Sequence, residues 1–343
     1  MKKLVSALIF LAFSVSMTAL PQQYRLTSPD GKVVVDVNTG GDISYSVFVD
    51  GAPVLSPSSI SVTLNDGTVY GGGAHLRRAV STSVDNVIKA PVYRKAEVSD
   101  RYNQLELQYK GFNVIFRAYD EGVAYRFVSL SKTPFEVKAE QAEFSFPANW
   151  NAYVPYVTQN LSENFDSQLH NSFENQYERQ AIACWDTKRL AFLPLMVEAE
   201  GGVKLCITEA DLLDYPGMFL YNGDCDNVLT GYFPKYPTVK TTGGGDGRSL
   251  YVQETADYIA KFDKGCSFPW RVIGISRRDW EMTDNDMVYR LASAPDPSVD
   301  YSWVEPGKVA WDWWNNWNIY GVDFKSGVNN DTYKYYIDFA SKN

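Results

Sequence analysis

Aromatic and short polar side chains are concentrated in one segment near the end of the sequence. Five of the nine tryptophans lie between Trp303 and Trp317, and Asp312, Asn315 and Asn316 are interleaved with them. Indole rings stack on the C–H faces of a sugar ring, while carboxylate and amide groups hydrogen-bond to its hydroxyls. The composition of this Trp-rich segment therefore indicates a carbohydrate-binding site. The alternative that it leaves open is a tryptophan-rich strand in a protein core.

The residues in and after the Trp-rich segment predict a strand that is followed by a helix. Residues 309–314 have the pattern of a strand, and residues 331–343 carry apolar side chains at helical spacing behind a cap at Asn330 or Asp331. A strand with its following helix is the repeating unit of parallel α/β folds. If residues 302–343 begin a (β/α)8 barrel, the active site lies at the C-terminal ends of its strands.

The alternation of side chains along the predicted strand selects the candidate binding residues. Asp312 and Trp314 are expected on one face, and Trp311 and Trp313 on the other. One of these two pairs should face the mouth of the barrel. We take Asp312, Trp314 and Trp311 as candidate substrate-binding residues.

The N-terminus has the pattern of a secretory signal peptide. Lys2 and Lys3 precede an apolar run over residues 4–13, and small residues lead to a cleavage point after Ala19. No later apolar run reaches the ~20 residues that a membrane span requires. We therefore expect residues 1–19 to be removed and the mature protein to be soluble and periplasmic.

The net charge and the small numbers of histidines and cysteines limit which partners and which catalytic or metal sites the chain can have. The net charge is −9, no run of lysine or arginine is present, and the chain has two histidines. Nucleic acid and anionic membrane surfaces are therefore poor partners, and a histidine-based metal site or a Ser-His-Asp triad has little support. Carboxylates acting on a neutral substrate fit better. The four cysteines match no zinc-binding spacing, and both disulfides and free buried thiols are compatible with them.

Most of the remaining sequence consists of short β-rich runs separated by turn residues. Strands are predicted at residues 24–28, 32–37, 44–49, 60–64, 92–98, 104–109, 113–118, 123–128, 136–146, 190–197, 203–208 and 270–276. Many strands with little helical periodicity indicate a large antiparallel β-sandwich.

A boundary is predicted after the sandwich. A helix is predicted within residues 280–291, with its start at Thr283 or Asp284, and Pro295 and Pro297 break the chain after it. The predicted domains are a sandwich at residues 22–277, a linker helix at residues 278–301 and the start of the barrel at residues 302–343.

For the acidic residues outside the Trp-rich segment, the sequence alone favours structural roles over catalysis or metal binding. Residues 161–180 are dense in acidic and amide side chains, among them Glu174, and a solvated loop is favoured over a cation site for such a segment. Asp120 and Glu121 form a turn between strands. Glu209 and Asp211 lie beside an apolar strand, where structural hydrogen bonding is favoured over catalysis.

Five motifs, in order along the chain, resemble glycoside hydrolase family 97. They are AYDEGVAYRF at residues 118–127, ITEADLLDYPGMFL at 207–220, FPWRVIGIS at 268–276, SWVEPGKVAWDWWN at 302–315 and YKYYIDFASKN at 333–343. The resemblance extends over nearly all of the mature chain. It implies an exported α-glycosidase with an N-terminal β-supersandwich and a catalytic (β/α)8 barrel. It also implies that the main catalytic carboxylates lie on later barrel strands, so residues 1–343 alone are predicted to be inactive.

The resemblance further implies a calcium ion. In the family, one glutamate of the sandwich coordinates a calcium ion that is also bound by carboxylates of the barrel. The Glu-x-x-Tyr pattern of this sequence is similar to the one around that glutamate, and it places Glu174 in this role. Glu178 is the alternative if the register is shifted by four residues. A hard divalent cation with oxygen ligands suits a chain with few soft ligands.

The residue sequence of the Trp-rich segment, AWDWWNNW, is more similar to the retaining α-galactosidase branch of the family than to the inverting α-glucosidase branch. We therefore predict hydrolysis of terminal α-linked galactose from oligosaccharides. An inverting α-glucosidase of the same family is one alternative. A carbohydrate-binding β-sandwich without catalysis is the other, because a sandwich with an incomplete barrel cannot position two catalytic carboxylates.

Overall fold

A computed structural model describes most of the chain. The described residues are 22–90, 92–158, 164–169, 172–243, 247 and 249–343. The predicted signal peptide, residues 1–19, and part of the acidic segment at residues 161–180 lie outside this description.

The described part of the chain divides into two compact units. The first lies within Met1–Ile88 and Val98–Ser293, and the second within Lys89–Glu97 and Ala294–Asn343.

Short β-strands dominate the first unit. In chain order the described strands are β1 (Gln23–Thr27), β2 (Val33–Asn38), β3 (Ser44–Val49), β4 (Ala52–Leu64), β5 (Val69–Tyr70), β6 (Arg78–Lys89), β7 (Glu97–Gln108), β8 (Phe112–Tyr119), β9 (Gly122–Ser129), β10 (Phe135–Ser145), β11 (Asn151–Val154), β12 (Glu178–Ala181), β13 (Leu195–Glu198), β14 (Lys204–Ala210), β15 (Phe219–Tyr221), β16 (Val228–Tyr232), β17 (Pro237–Gly243), β18 (Ser249–Thr255), β19 (Ala260–Phe262) and β20 (Trp270–Ser276). The α-helices are α1 (Asp279–Thr283), α2 (Met287–Leu291) and α3 (Asn330–Lys342).

Among the described residues, the strands form two nine-stranded antiparallel sheets and one separate hairpin. The first sheet has the order β1-β2-β3-β4-β10-β16-β15, with β5 beside β4 and β19 beside β10. The second sheet has the order β12-β11-β13-β14-β20-β9-β8-β7-β6, and β17 pairs with β18 in the hairpin. Neighbours in sequence pair repeatedly, as in β1 to β4 and β7 to β9, which is the pattern of antiparallel meanders.

Alternating apolar side chains form the core between the two sheets. In β8, Phe112, Val114 and Phe116 are buried while the residues between them are partly exposed. Tyr45 of β3, in the first sheet, packs against Phe116 and Tyr125 of the second sheet, with ring centroids 6.0 and 5.2 Å apart. Burial of such apolar surface is the main favourable term in folding. The two sheets therefore form the predicted β-sandwich, and this part of the fold prediction is confirmed.

The helix predicted within residues 280–291 corresponds to α2, which begins at Met287, three to four residues after the predicted start at Asp284 or Thr283, and a second short helix, α1, precedes it. Asn285 lies between them. Its side-chain oxygen accepts from the backbone N–H of Met287 at 2.9 Å, and its amide donates to the carbonyl oxygen of Glu121 at 3.0 Å. Asparagine favours such local bonds over a helix interior. Met287 and Leu291 are buried against the outer face of β20, in the same compact unit as the sandwich.

Several strand predictions also differ from the structure: β5, β11, β12 and β15 to β19 were not predicted, and residues 190–194, predicted inside a strand, precede β13. Residues 92–96, predicted inside a strand at residues 92–98, form turns and bends between β6 and β7. The strand β6 itself was not predicted, and none of its residues is fully buried. A strand that buries little has no strong apolar alternation, so its sequence carries a weak signal.

The strand predicted at residues 309–314 is absent. Asp312–Asn315 form a 3₁₀ helix, and the described residues 294–343 contain no strand. A strand satisfies its backbone N–H and C=O groups through a paired neighbour, and residues 294–343 provide none. Of the predicted first β/α unit, the helix is therefore present and the strand is not.

The helix predicted at residues 331–343 is confirmed by α3. Its N-cap is Asn329, whose side-chain oxygen accepts from the backbone N–H of Thr332 at 3.0 Å. This bond satisfies one of the donors that a helix N-terminus leaves free. No helix in the described part of the chain is long and apolar enough to span a lipid bilayer.

Candidate functional site

The Trp-rich segment folds into a tight turn. After the 3₁₀ helix Asp312–Asn315, Asn316 and Trp317 adopt left-handed backbone conformations with φ of 55° and 53°. Tryptophan rarely adopts this conformation, so the surrounding contacts must hold it. One such contact is the hydrogen bond from Nε1 of Trp317 to Oδ2 of Asp312, at 2.7 Å. Asp312 therefore closes the turn through its side chain.

The turn arranges the tryptophans in two pairs. The ring centroids of Trp311 and Trp314 are 5.7 Å apart, and those of Trp313 and Trp317 are 5.1 Å apart. Residues three apart lie on the same side of a 3₁₀ helix, which explains why Trp311 and Trp314 meet. The predicted arrangement, with Asp312 and Trp314 on one face and Trp311 on the other, is therefore wrong. Trp311 and Trp314 are 57% and 81% exposed, so both rings are open to a ligand.

Helix α3 supports the turn. The hydroxyl of Tyr336 donates to Oδ1 of Asn315 at 2.8 Å, and Nδ2 of Asn315 donates to the carbonyl oxygen of Asn318 at 2.7 Å. These bonds join the helix to the turn within the second unit. An exposed pair of indole rings beside a carboxylate is suited to stacking and hydrogen bonding with a sugar.

Glu174, the predicted calcium ligand, is exposed in the segment that precedes β12. Phe173 anchors this segment, because its ring packs against Tyr177 and Phe192 with centroid distances of 5.1 and 5.8 Å. Glu174 itself makes no hydrogen bond or ion pair to another described residue. Its carboxylate is therefore available to an external partner.

Glu178, the alternative calcium ligand, is already paired. Its Oε1 accepts from Nη1 of Arg189 at 3.3 Å, and the Glu178 side chain is 52% exposed. A cation beside the carboxylate competes with a metal ion for its charge. The local geometry thus favours Glu174 over Glu178 as a ligand.

The described residues fit a calcium ion only in part. Calcium prefers about six to eight oxygen ligands, several of them carboxylates. Among the described residues, no group of three or more His, Cys, Asp or Glu side chains could hold a metal ion. Glu174 could supply one ligand, and the remaining ligands would have to come from elsewhere.

An ionic cluster inside the sandwich was not predicted as a unit. Arg271 of β20 donates from Nε and Nη2 to the two carboxylate oxygens of Glu140 in β10, each at 2.7 Å, and from Nη1 to Glu209 in β14. The Arg271 and Glu140 side chains are 1% and 3% exposed. Burial raises the pKa of Glu209, and Arg271 opposes this effect. Because β10 belongs to one sheet and β14 and β20 to the other, the cluster links the two sheets.

The other acidic residues singled out in the sequence make structural contacts. Asp120 accepts from the backbone N–H of Asp30 at 2.8 Å and from Arg101 at 2.6 Å. Asp211 accepts from the backbone N–H and the hydroxyl of Ser293 at 2.8 and 2.9 Å. These carboxylates hold loops together, as their positions beside turns and strands indicated.

A cleft of about 1330 Å³ in the first unit was not foreseen from the sequence. Its lining includes the aromatic residues Phe135, Tyr236 and Phe262, together with Asn65 and Glu136. The amide of Asn65 donates to Oε2 of Glu136 at 2.7 Å. These residues come from four segments that are far apart in sequence, so no local pattern could group them. Aromatic rings beside amide and carboxylate groups are again a combination that suits a sugar.

Comparisons with known proteins identify the relatives of the chain. A family model described as Glycosyl-hydrolase 97 N-terminal matches residues 26–294. The chain is 44% identical over 344 aligned positions to a protein of Bacteroides thetaiotaomicron named Retaining alpha-galactosidase, with 100% of this chain and 52% of that protein covered. The chain spans about half the length of the curated relatives it matches.

Two solved structures share the fold. One is a glycoside hydrolase family 97 enzyme from Pseudoalteromonas sp. strain K8 in complex with acarbose, with a TM-score of 0.70 and 22% identity; the match covers 93% of this chain and 46% of that one. The other is a beta-arabinopyranosidase, with a TM-score of 0.71 and 21% identity over 93% of this chain and 49% of that one. At these identities the likeness is one of fold.

Proposed function

The chain belongs to glycoside hydrolase family 97, and from that membership we propose that the whole protein is an exo-acting α-glycosidase. Its proposed reaction is the hydrolysis of terminal α-linked galactose from oligosaccharides with retention of configuration. The observation that carries this proposal is the similarity, along the full length of the chain, to the retaining α-galactosidase of Bacteroides thetaiotaomicron.

Substrate binding is proposed at the Trp-rich turn. The exposed rings of Trp311 and Trp314 offer stacking faces for the terminal sugar. Asp312, which already accepts one hydrogen bond from Trp317, would accept further bonds from sugar hydroxyls. These three residues are proposed to bind and orient the substrate.

The catalytic carboxylates are proposed to lie outside residues 1–343. Retaining glycosidases use a nucleophile and an acid/base whose carboxyl groups are about 5–5.5 Å apart across the scissile bond. The carboxylates of Glu140 and Glu209, which lie inside the sandwich, are engaged in structural contacts with Arg271. They are therefore unsuited to either task.

Calcium binding is proposed with Glu174 as one ligand. Its exposure and its lack of a partner among the described residues support this choice over Glu178. When bound, a calcium ion would supply positive charge that orients oxygen groups around it. The contribution of this chain would be a single carboxylate held in place by Phe173.

Periplasmic localisation is proposed from the N-terminal sequence. The basic start, the apolar run over residues 4–13 and the small residues before position 20 are the features that a secretory leader requires. Periplasmic fractionation of the native organism, followed by N-terminal sequencing of the mature protein, tests this proposal. A mature N-terminus that retains Met1 would contradict it.

The reaction is tested by following whole-protein hydrolysis of an aryl α-galactoside by proton NMR. We expect α-galactose as the first sugar product, which then mutarotates. First release of the β-anomer would instead show inversion, and turnover of the aryl α-glucoside alone would show a glucosidase. Absence of turnover on both substrates would contradict the enzymatic proposal.

A second candidate function is carbohydrate binding by the sandwich without catalysis. The cleft lined by Phe135, Tyr236 and Phe262 favours it, because it presents aromatic and polar groups in a concave surface. Calorimetric titration with a galacto-oligosaccharide, using Tyr236→Ala and Trp314→Ala variants, separates the two sites. Loss of binding in Tyr236→Ala alone would locate the sugar in the cleft, and loss in Trp314→Ala alone would locate it at the turn.

A further inference from the structure

The four cysteines fall into two classes by their surroundings. Burial raises the pKa of Cys206 and of Cys266 to about 11, so these thiols stay protonated at neutral pH. Cys184 and Cys225 are exposed. The thiolate is the reactive form in disulfide exchange, and the sulfur must also be accessible. The exposed pair is therefore the pair that an oxidant can reach.

The two exposed cysteines lie on adjoining loops. Cys184 ends the 3₁₀ helix Ile182–Cys184, and Cys225 lies between β15 and β16. The thiol of Cys225 donates to the carbonyl oxygen of Trp185, with 3.9 Å between sulfur and oxygen. Trp185 directly follows Cys184 in the chain. The Cys225 sulfur therefore lies beside the backbone that carries Cys184.

Hydrogen bonds hold the two loops in register. Asn222 is 1% exposed, and its Nδ2 donates to the carbonyl oxygens of Ile182 at 3.2 Å and of Asp226 at 2.7 Å. Ile182 belongs to the loop of Cys184, and Asp226 is adjacent to Cys225. Trp185 is 3% exposed and anchors the first loop in the core. The two loops that carry Cys184 and Cys225 are thus held together by contacts that do not involve sulfur.

We propose that Cys184 and Cys225 form a disulfide bond when the protein meets a disulfide oxidant. One cysteine thiolate attacks the oxidant, forms a mixed disulfide and releases one thiolate of the oxidant. The thiolate of the other cysteine then attacks the protein sulfur of the mixed disulfide and releases the second thiolate. Two electrons pass to the oxidant, and the two thiol protons pass to solvent or to the released thiolates.

The proposal is independent of the hydrolase reaction. It depends on the proposed export only for its occurrence in the cell, because the periplasm is an oxidising compartment. The bond would close a loop that contains β13, β14 and β15, and closing a loop restricts the unfolded chain. We therefore expect the oxidised form to be the more stable one.

The bond is tested on the purified wild-type protein with oxidised glutathione as the oxidant. After oxidation the protein is denatured without reductant, free thiols are alkylated, and the digest is analysed by mass spectrometry. We expect alkylation of Cys206 and Cys266 and a linked peptide pair that contains Cys184 and Cys225. Four alkylated cysteines, or glutathione on both exposed cysteines without a link, would overturn the proposal.

Matched variants separate the bond from general effects of oxidation. Cys184→Ser should lose the linked peptide and leave Cys225 alkylated or glutathionylated, whereas Cys266→Ser should retain the link. Oxidation should raise the Tm of the wild-type protein by roughly 5 °C and leave the Tm of Cys184→Ser unchanged. An equal rise in Cys184→Ser would contradict the assignment of this pair.

Discussion

Charged side chains in this protein occur in very different surroundings, of which the buried Arg271–Glu140 pair and the exposed Glu174 are two examples. Arg271 and Glu140 are almost fully buried and share two hydrogen bonds of 2.7 Å. Glu174 is exposed and makes no bond to another described residue. A buried charge must be paired because its desolvation costs several kcal/mol. An exposed carboxylate is hydrated, so it needs no protein partner and remains free to bind a ligand. Substitutions in the two groups should therefore affect different properties.

Glu140→Gln should lower the free energy of unfolding by about 3–5 kcal/mol, because it leaves the buried guanidinium of Arg271 without its main partner. Glu209→Gln should cost less, since Arg271 keeps both bonds to Glu140. Urea denaturation of both variants and the wild type at pH 7 measures the difference. Equal losses would contradict the assignment of Glu140 as the main partner.

Asp312→Asn should lower kcat/KM of the whole enzyme by roughly ten- to a hundredfold, because a buried sugar hydroxyl would lose its charged acceptor. The Tm should change little, since the asparagine oxygen can still accept the bond from Trp317. Kinetics on an aryl α-galactoside and thermal unfolding are measured on the same samples. A lower Tm with unchanged kcat/KM would contradict substrate binding by Asp312 and would show that its role is structural.

Glu174→Ala should weaken calcium binding by the whole protein and leave the sandwich folded, because one carboxylate ligand of several is lost. Glu178→Ala is the matched control, four residues away, and should leave calcium affinity unchanged because Glu178 is paired with Arg189. Calorimetric titration with calcium and circular dichroism give the two readouts. Loss of calcium affinity in Glu178→Ala but not in Glu174→Ala would show that Glu178 is the calcium ligand instead.

At the scale of elements, the turn between β8 and β9 is held tightly against β20 and α2. Gly122 has a φ of 151°, and a Cβ added there would collide with the carbonyl oxygen of Ile273 and the sulfur of Met287. Glu121 in the same turn pairs with Arg290 of α2. The turn therefore positions the helix that covers the outer face of the sheet.

Gly122→Ala should lower the free energy of unfolding by roughly 2–5 kcal/mol, since backbone strain and the collision add. Gly111→Ala is the matched control in the neighbouring turn. Gly111 has a φ of 90° and open space around an added Cβ, so only strain of about 1 kcal/mol is expected. Chemical denaturation of both variants checks this, and similar losses in the two would argue against tight packing at Gly122.

At the scale of the whole molecule, the two units differ in how much they bury. The first unit has a continuous apolar core between its sheets. In residues 294–343, Thr332 is the one buried residue, while Val309, Trp314 and Tyr320 are 85%, 81% and 87% exposed. Such extensive exposure of large apolar side chains marks a surface that a soluble protein normally covers.

In the 343-residue chain, limited proteolysis should cleave residues 302–343 well before the sandwich, because a segment with few buried contacts opens locally at low cost. Cleavage is followed over time by mass spectrometry with a protease of broad specificity. Calcium and a galacto-oligosaccharide are omitted so that ligand protection does not mask the difference. Equal protection of residues 302–343 and of the sandwich would contradict this prediction.

Features that depend on neighbours along the chain could be predicted from the amino-acid sequence. Alternation in residues 113–118 predicted the strand β8, and the same pattern in other runs predicted the β-sandwich. The helical spacing after Asn330 predicted α3. The tryptophans with Asp312 marked a candidate sugar-binding segment, and the motifs indicated the family before any geometry was known. These signals are local, because a side chain's period reports the conformation of its own segment.

Contacts between residues that are distant in sequence could not be predicted and are seen in the fold alone. Arg271 and Glu140 are 131 residues apart in sequence, and no periodicity could pair them. The residues of the cleft and the loops of Cys184 and Cys225 come together in the same way. The Trp-rich segment shows the converse: its pattern predicted a strand, but residues 294–343 contain no partner strand, and the bond from Trp317 to Asp312 holds a turn instead. Extended and turned backbones differ little in local energy, so the hydrogen-bond partners that the fold makes available decide between them.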